Sequence, residues 1–190
     1  MSTTRRALIE LIKDEGCAPR EEEVGLSGGG STNVYLDIPS ILDTGRRLRL
    51  AAAVLGEWFD LHVLEPSTAV GGPQTASIPL SAAVGQRNLD VKWFSVRKEL
   101  KGHGMDGWIQ GARLDENDTV ILTDDVVSTG SSLVHAYEKV SETGARVLAV
   151  IPLVDRAGLA QGRFTALDVD YWPCITHLDL DIAPLIQEAL

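Results

Sequence analysis

Two stretches of the chain are too continuously apolar to be strands with one wet face. Thr119 to Asp124 reads TVILTD and Arg146 to Val154 reads RVLAVIPLV, where a half-exposed strand would alternate apolar with polar residues. Such strands must be covered on both sides, and here they lie among segments with helical periodicity. The pattern predicts an α/β fold with a doubly wound, mostly parallel sheet. Thr3 to Glu15 sets Leu8, Ile9, Leu11 and Ile12 on one helical face and stops at Gly16. Thr44 to Phe59 reads as a second helix, Thr68 to Val70 as a short strand, Thr75 to Val84 as a helix and Val91 to Val96 as a strand. Ser131 to Thr143 is a further helix, closed by Gly144. Between the first two helices, Ala18 to Thr32 is polar and Gly-rich, and Asn33 to Asp37 alternates as a strand outside the main sheet. Arg97 to Asp118 is the longest stretch without a period, and loops of that length are more often functional than simple connections.

With 190 residues, 44% of them hydrophobic, the chain fits one well-buried core better than two. Its 27 acidic and 17 basic side chains give a net charge of -10, which opposes binding to a phosphate backbone, so nucleic acid is not an expected partner. The opening MSTTRRALIELIKDEG interleaves charge with apolar residues too closely for a secretory segment, and no run approaches the roughly 20 apolar residues of a membrane span. A cytoplasmic protein away from membranes is expected. Cys17 and Cys174 have neither CxxC nor His-Cys spacing and read as ordinary thiols.

Ligands of an open parallel sheet sit beyond the carboxyl ends of its strands. Asp124 and Asp125, in VILTDDVVSTGSS, stand at such an end. An aspartate pair alone is ordinary turn chemistry. The residues after the pair are less ordinary: Ser128, Thr129, Gly130, Ser131 and Ser132 offer hydroxyls and successive N–H groups at the start of a helix, an arrangement that suits a phosphate. Carboxylates beside that cradle are badly placed for the phosphate itself. They can accept hydrogen bonds from sugar hydroxyls or help to hold a divalent metal, and the ligand reads as a ribose 5-phosphate.

This stretch resembles the phosphoribosyl-pyrophosphate (PRPP) motif of the type I phosphoribosyltransferases, with Thr123 where the family usually has an aliphatic residue. RKELKGHGMDG, Arg97 to Gly107, resembles the catalytic loop of the orotate phosphoribosyltransferases, with Arg97, Lys98, Lys101 and His103 at matching positions. VGGPQTASIPL, Val70 to Leu80, resembles the family's pyrophosphate loop and adds the hydroxyls of Thr75 and Ser77. In LVDR, Arg156 matches the arginine that contacts the base, and a bidentate donor suits a carboxylated pyrimidine. LSGGGSTNVYLD, Leu26 to Asp37, resembles the hood over the base, with Tyr35 or Val34 against the pyrimidine and the amides of Ser27 to Ser31 beside it. Gly30 and Ala76 depart from the pattern, since many members carry lysine at both places.

The resemblance implies a type I phosphoribosyltransferase fold: a core of about residues 44–170, with a small N-terminal hood of about residues 18–40 joined by the C-terminal segment. It implies conversion of orotate and PRPP to orotidine 5'-monophosphate and pyrophosphate. Lys101, His103, Asp124 and Asp125 would be the catalytic group. Mg²⁺ would be held mainly through PRPP, with Asp124 and Asp125 as further ligands. It implies a homodimer whose loop 97–110 is shared, Lys101 and His103 entering the neighbouring site. A transferase for another base is the first rival, against which the complete Arg-Lys-Lys-His loop argues. A PRPP-sensing regulator without turnover is the second. Trp58, Trp93, Trp108 and Trp172 read as packing residues, His135 as structural, and His62 and His177 lack partners at ligand spacing.

Overall fold

The structure is a computed structural model that describes residues 1–25, 31–87, 90–100 and 107–182, and of the side chains between 19 and 33 nothing is described. Its centre is a six-stranded sheet. The strands are β3 (Ala69–Pro73), β4 (Lys92–Val96), β5 (Ile109–Gly111), β6 (Thr119–Leu122), β8 (Arg146–Val150) and β10 (Asp170–Tyr171), in the order β10-β8-β6-β3-β4-β5. All neighbours are parallel except β5, which runs antiparallel to β4. The chain moves from β3 outward to β4 and returns to β6 on the other side of β3, so the topological switch lies between β3 and β6.

The unbroken apolar runs are explained by what covers each face. Ile121 packs with Leu8 and Ile9 of α1 (Thr3–Leu11), Val54 and Leu55 of α3 (Gly45–His62), and Leu80 of α4 (Ser77–Gly85). Its neighbours Val120 and Leu122 point the other way, toward Leu133 and Val140 of α5 (Ser131–Ser141) and Phe164 of α6 (Gln161–Ala166). Successive residues of a strand alternate faces, and here both faces are dry.

One strand departs from its expected extent. Arg146 to Val154 does not continue as one strand, because β8 ends at Val150 and the chain resumes as β9 (Val154–Asp155) in a separate three-stranded parallel sheet with β7 (Val126–Val127) and β11 (Ile175–Thr176). Pro152, which has no N–H to give a ladder, sits in the break. β6 leaves the main sheet at the same level, at Leu122, before the two aspartates. The short helix α2 (Ile38–Ile41) and the strands β5, β7, β9, β10 and β11 carry too few residues for a period. A longer strand, β1 (Cys17–Gly25), is hidden by its polar sequence. It pairs antiparallel with β2 (Ser31–Leu36) as a ribbon outside the main sheet, with Cys17 opposite Leu36. The first helix passes into a π-helical turn at Ile12–Gly16 instead of running straight to Glu15. Among the described residues no helix is long and apolar enough to cross a membrane.

Two devices hold the sheet in register. At the amino ends, buried Asp118 accepts from Thr68 Oγ1 at 2.8 Å, from Lys92 Nζ at 2.8 and 2.9 Å and from the Asp115 N–H at 3.0 Å, tying β3, β4 and β6 together. Burial works against its charge, but these donors prevail and hold its carboxyl below the usual range. At the carboxyl ends, Gly72 lets β3 and the end of β6 touch, since a Cβ there would lie 1.8 Å from the Thr123 carbonyl oxygen. Backbone cannot swing aside as a side chain can. Gly72→Ala is therefore expected to lose about 3 kcal/mol or more, at the upper end of overpacking costs, measured as a lowered denaturation midpoint against wild type.

Candidate active site

The phosphate-type cradle forms where β7 meets α5. Gly130 is left-handed, with φ 80°, and caps the helix, and a Cβ at this position would stand 2.9 Å from that of Ala160. Only glycine meets both demands at low cost. Buried Thr129 keeps its hydroxyl 3.0 Å from that of Ser131, while Ser131 and Ser132 are exposed at the helix start. A cavity of about 220 Å³ opens here, lined by Lys98, Asp124 and the loop from Val126 to Leu133. The fold thus brings together the acidic motif, the hydroxyl loop and one cation of the basic loop.

Asp124 and Asp125 lie in the gap between the two sheets. Their carbonyls receive the N–H groups of Leu153 at 2.8 Å and Val154 at 3.1 Å, and the Asp125 N–H donates to Asp124 Oδ1 at 3.0 Å. Burial raises the pKa of Asp124 well above the usual carboxylate value, the charge of Asp125 adds to this, and Lys98 works against it. Asp125 is raised as well, first by burial, with Asp37 a small further contributor.

The remaining residues of the expected site fall into distinct places. Arg97 lines not the small cavity but another of about 630 Å³, with Trp108, Arg113 and Lys139. Lys101 and His103 lie outside the described residues, as do Ser27 and Gly30. Thr75 is exposed in the loop after β3, and the Gln74–Thr75 peptide is cis. Ser77 is fully buried and donates its hydroxyl to the Pro73 carbonyl at 2.5 Å, so it serves the loop's own shape. Tyr35, 38% exposed, stands on the ribbon that joins α1 to α2. Arg156 comes directly after β9, is buried near Cys17 at the foot of that ribbon, and donates its backbone N–H to the Val127 carbonyl at 2.9 Å. Burial pulls down the pKa of its guanidinium, while Cys17 favours the charge.

Two contributors had only weak sequence signals. Asp155 accepts from the N–H groups of Ala157 at 3.0 Å and Gly158 at 2.8 Å through one oxygen, and from the Tyr171 hydroxyl at 3.0 Å through the other. Burial drives the Tyr171 phenol far up, so it stays a donor, and the turn that carries Arg156 is held from two sides. An aspartate just before a turn was its only trace in the sequence. Gln74 links the loop after β3 to β4 and β5, donating its backbone N–H to the Val96 carbonyl at 2.8 Å and its side-chain amide to Gln110. No motif marked it.

A larger cavity of about 640 Å³ lies at the opposite, amino-terminal edge of the sheet, against Glu65, Arg146 and Asp170. The chemistry collects at the carboxyl edge, where this sheet topology places ligands.

No protein-family model matches the chain. It is 35% identical over 163 residues to the orotate phosphoribosyltransferase of Streptomyces coelicolor, covering 83% of this chain and 85% of that protein. With the orotate phosphoribosyltransferase of Methanocaldococcus jannaschii it is 31% identical over 176 residues, 91% and 94% of the two chains. This chain belongs to the orotate phosphoribosyltransferase family. The crystal structure of the orotate phosphoribosyltransferase from Aeropyrum pernix superposes with a TM-score of 0.77 at 28% identity, covering 91% of this chain and 95% of that one. The α/β architecture with a mostly parallel sheet is that of the type I phosphoribosyltransferases.

In this member of the orotate phosphoribosyltransferase family, the burial of the two adjacent carboxyls has a consequence for stability. A carboxyl raised by folding binds its proton more tightly in the native than in the unfolded state, so stability falls as pH climbs from the ordinary carboxylate value through the raised one. Asp124→Asn removes that loss. The ligand-free variant is expected to melt higher than wild type at pH 8, at about 2–4 °C per kcal/mol gained, with the difference shrinking at pH 4, as scanning calorimetry at both values would reveal.

Proposed function

We propose that this chain transfers the phosphoribosyl group of PRPP to orotate, giving orotidine 5'-monophosphate and pyrophosphate in pyrimidine nucleotide biosynthesis. The carrying observation is the cavity that joins Lys98, Asp124 and the Ser128–Ser132 loop at the switch point, in a chain of this family. The loop hydroxyls and amides take the 5-phosphate at the helix start. Asp124 and Asp125 accept hydrogen bonds from the ribose hydroxyls. Hydrogen bonds from the sugar favour the charged carboxylates and so oppose the burial that raises both carboxyls.

In the reaction the bond from the anomeric carbon to pyrophosphate breaks and a bond to the base nitrogen forms. Positive charge grows on the sugar while negative charge grows on the leaving group. Arg97, Lys98, Lys101 and His103 stabilise the pyrophosphate, and Arg156 orients the carboxylated base from beneath the hood with Tyr35 above it. Asp124 and Asp125 offer carboxylate oxygens, but no group of three or more His, Cys, Asp or Glu side chains that could hold a metal occurs among the described residues, so Mg²⁺ would be held mainly through the PRPP diphosphate. A bound Mg²⁺ would supply positive charge to the diphosphate leaving group.

We read the protein as a homodimer with loop 97–110 shared between subunits. Support comes from Arg97, which lines the cavity beside β5 and not the cradle of its own chain. Thr75 meets the pyrophosphate from the loop after β3. Gly30 and Ala76 leave more of that charge to the basic loop than in members with lysine there.

The direct test is loss of orotate absorbance with PRPP and Mg²⁺ both present, each omitted in turn. An absorbance that stays constant with every component present would dismiss the reading, and turnover with another base alone would move it to a different transferase. Lys101→Ala should lower kcat about 10²–10³-fold, the usual loss of one transition-state donor, with PRPP affinity nearly unchanged by calorimetry. Asp125→Asn should do the reverse and weaken PRPP by about tenfold or more, as expected for a lost charged hydrogen bond. Mixed dimers of the two variants should regain part of the activity if the loop is shared, and none if each site is built from one chain.

A further inference from the structure

Arg97 is held by residues remote from the basic motif. Its N–H donates to the Trp108 carbonyl at 2.8 Å, closing the two ends of the loop. Its own carbonyl lies 3.1 Å from Nε2 of His135, on α5. A carbonyl offers only lone pairs, so Nε2 is the protonated nitrogen. The Trp108 ring meets the His135 imidazole edge-on, 5.0 Å between centroids and 77° between planes, and Lys139 stands 4.8 Å from the Trp108 centroid. Ser131, His135 and Lys139 are spaced four residues apart, so one face of α5 presents in turn a hydroxyl of the cradle, the clamp on Arg97 and the clamp on Trp108.

At the other end of the residue, Arg97 Nε is buried with no hydrogen-bond partner among the described residues. An unpaired guanidinium N–H is costly to bury, and its retention fits a group set for an acceptor that the described residues do not supply. A side chain with that many rotatable bonds aims well only if its main chain is fixed. Val96 before it is part of β4, and its ladder ends there. The bond from His135 therefore fixes Arg97 on its loop side and refers it to the helix that begins at the cradle.

We infer that His135 is a positioning residue for Arg97, fixing the main chain from which its guanidinium extends. The inference rests on Arg97 serving pyrophosphate. His135 touches neither substrate in this scheme. It acts through the Arg97 carbonyl and through Trp108.

The test is a double-mutant cycle on the full-length protein with orotate, PRPP and Mg²⁺, run forward and with orotidine 5'-monophosphate and pyrophosphate in reverse. His135→Leu keeps bulk against Trp108 but has no donor; it should lower kcat/KM for pyrophosphate about tenfold to a hundredfold, as a displaced charged group does, and leave KM for orotate within twofold. His135→Gln can donate an N–H and should recover most of the loss. Combined with Arg97→Ala, His135→Leu should add nothing further. Multiplying losses, or equal losses for orotate and pyrophosphate, would overturn the inference. If Arg97→Ala alone leaves pyrophosphate kinetics intact, the role of Arg97 itself is wrong and the inference falls with it, an outcome distinct from multiplying losses. Should His135→Leu melt early, the Gln variant decides alone: wild-type kinetics support a donor role, and a full loss with an unchanged melting temperature refutes it.

Discussion

The site depends on a pair of backbone hydrogen bonds, from the N–H groups of Leu153 and Val154 to the carbonyls of Asp124 and Asp125. Both central strands leave the main sheet at this level, and these bonds carry the pairing across the gap into the smaller sheet. Without them two apolar strands would simply end. With them the chain turns as a unit, and the carboxyl ends of β7 and β9 deliver the Ser128 loop and Arg156 side by side, in the register that pairs Val127 with Asp155. The close contact of Gly72 with the Thr123 carbonyl belongs to the same joint.

That geometry half-buries two adjacent carboxyls, and the free protein bears the cost as raised pKa values. Lys98 offsets only part of it. Crowding two carboxyls there is a local source of instability in the ligand-free protein. Two other buried carboxylates are better provided for. Asp118 and Asp155 are both buried, yet each has three or more donors at hydrogen-bond distance. One locks the amino edge of the sheet and the other locks the turn at the carboxyl edge.

The elements that read correctly from the sequence were those with enough residues to display a period or a full apolar run: α1, α3, α4, α5, the strands β3, β4 and β6, the first part of the Arg146–Val154 run as β8, and β2 as a strand outside the main sheet. Two-residue strands such as β7, β9 and β11 have no period to detect. Their existence comes from the break at Pro152, which the sequence marks, together with the bonds that bridge the break, which it does not. β1 was hidden because its pairing with β2 is a backbone matter that its polar side chains do not advertise. Within the site, the acidic pair, the hydroxyl loop and the adjacent Lys98 were legible as motifs. Asp155, Gln74 and His135 were not, since each works on the backbone of another residue.

The sequence by itself determined the parallel sheet, through apolar runs that only two dry faces can accept, and the makeup of the candidate site, with carboxylates followed by hydroxyls and glycine at a strand end. Local chemistry suffices for both, because hydrophobic burial and anion-binding amides depend on residues near one another in the chain. The tertiary structure alone decided that Arg97 and Lys98, adjacent in sequence, line different cavities, and that a histidine 38 residues away holds the first of them. Which way a side chain faces at the end of a strand is fixed by the pairing and packing around it, and those contacts join segments that no local pattern connects.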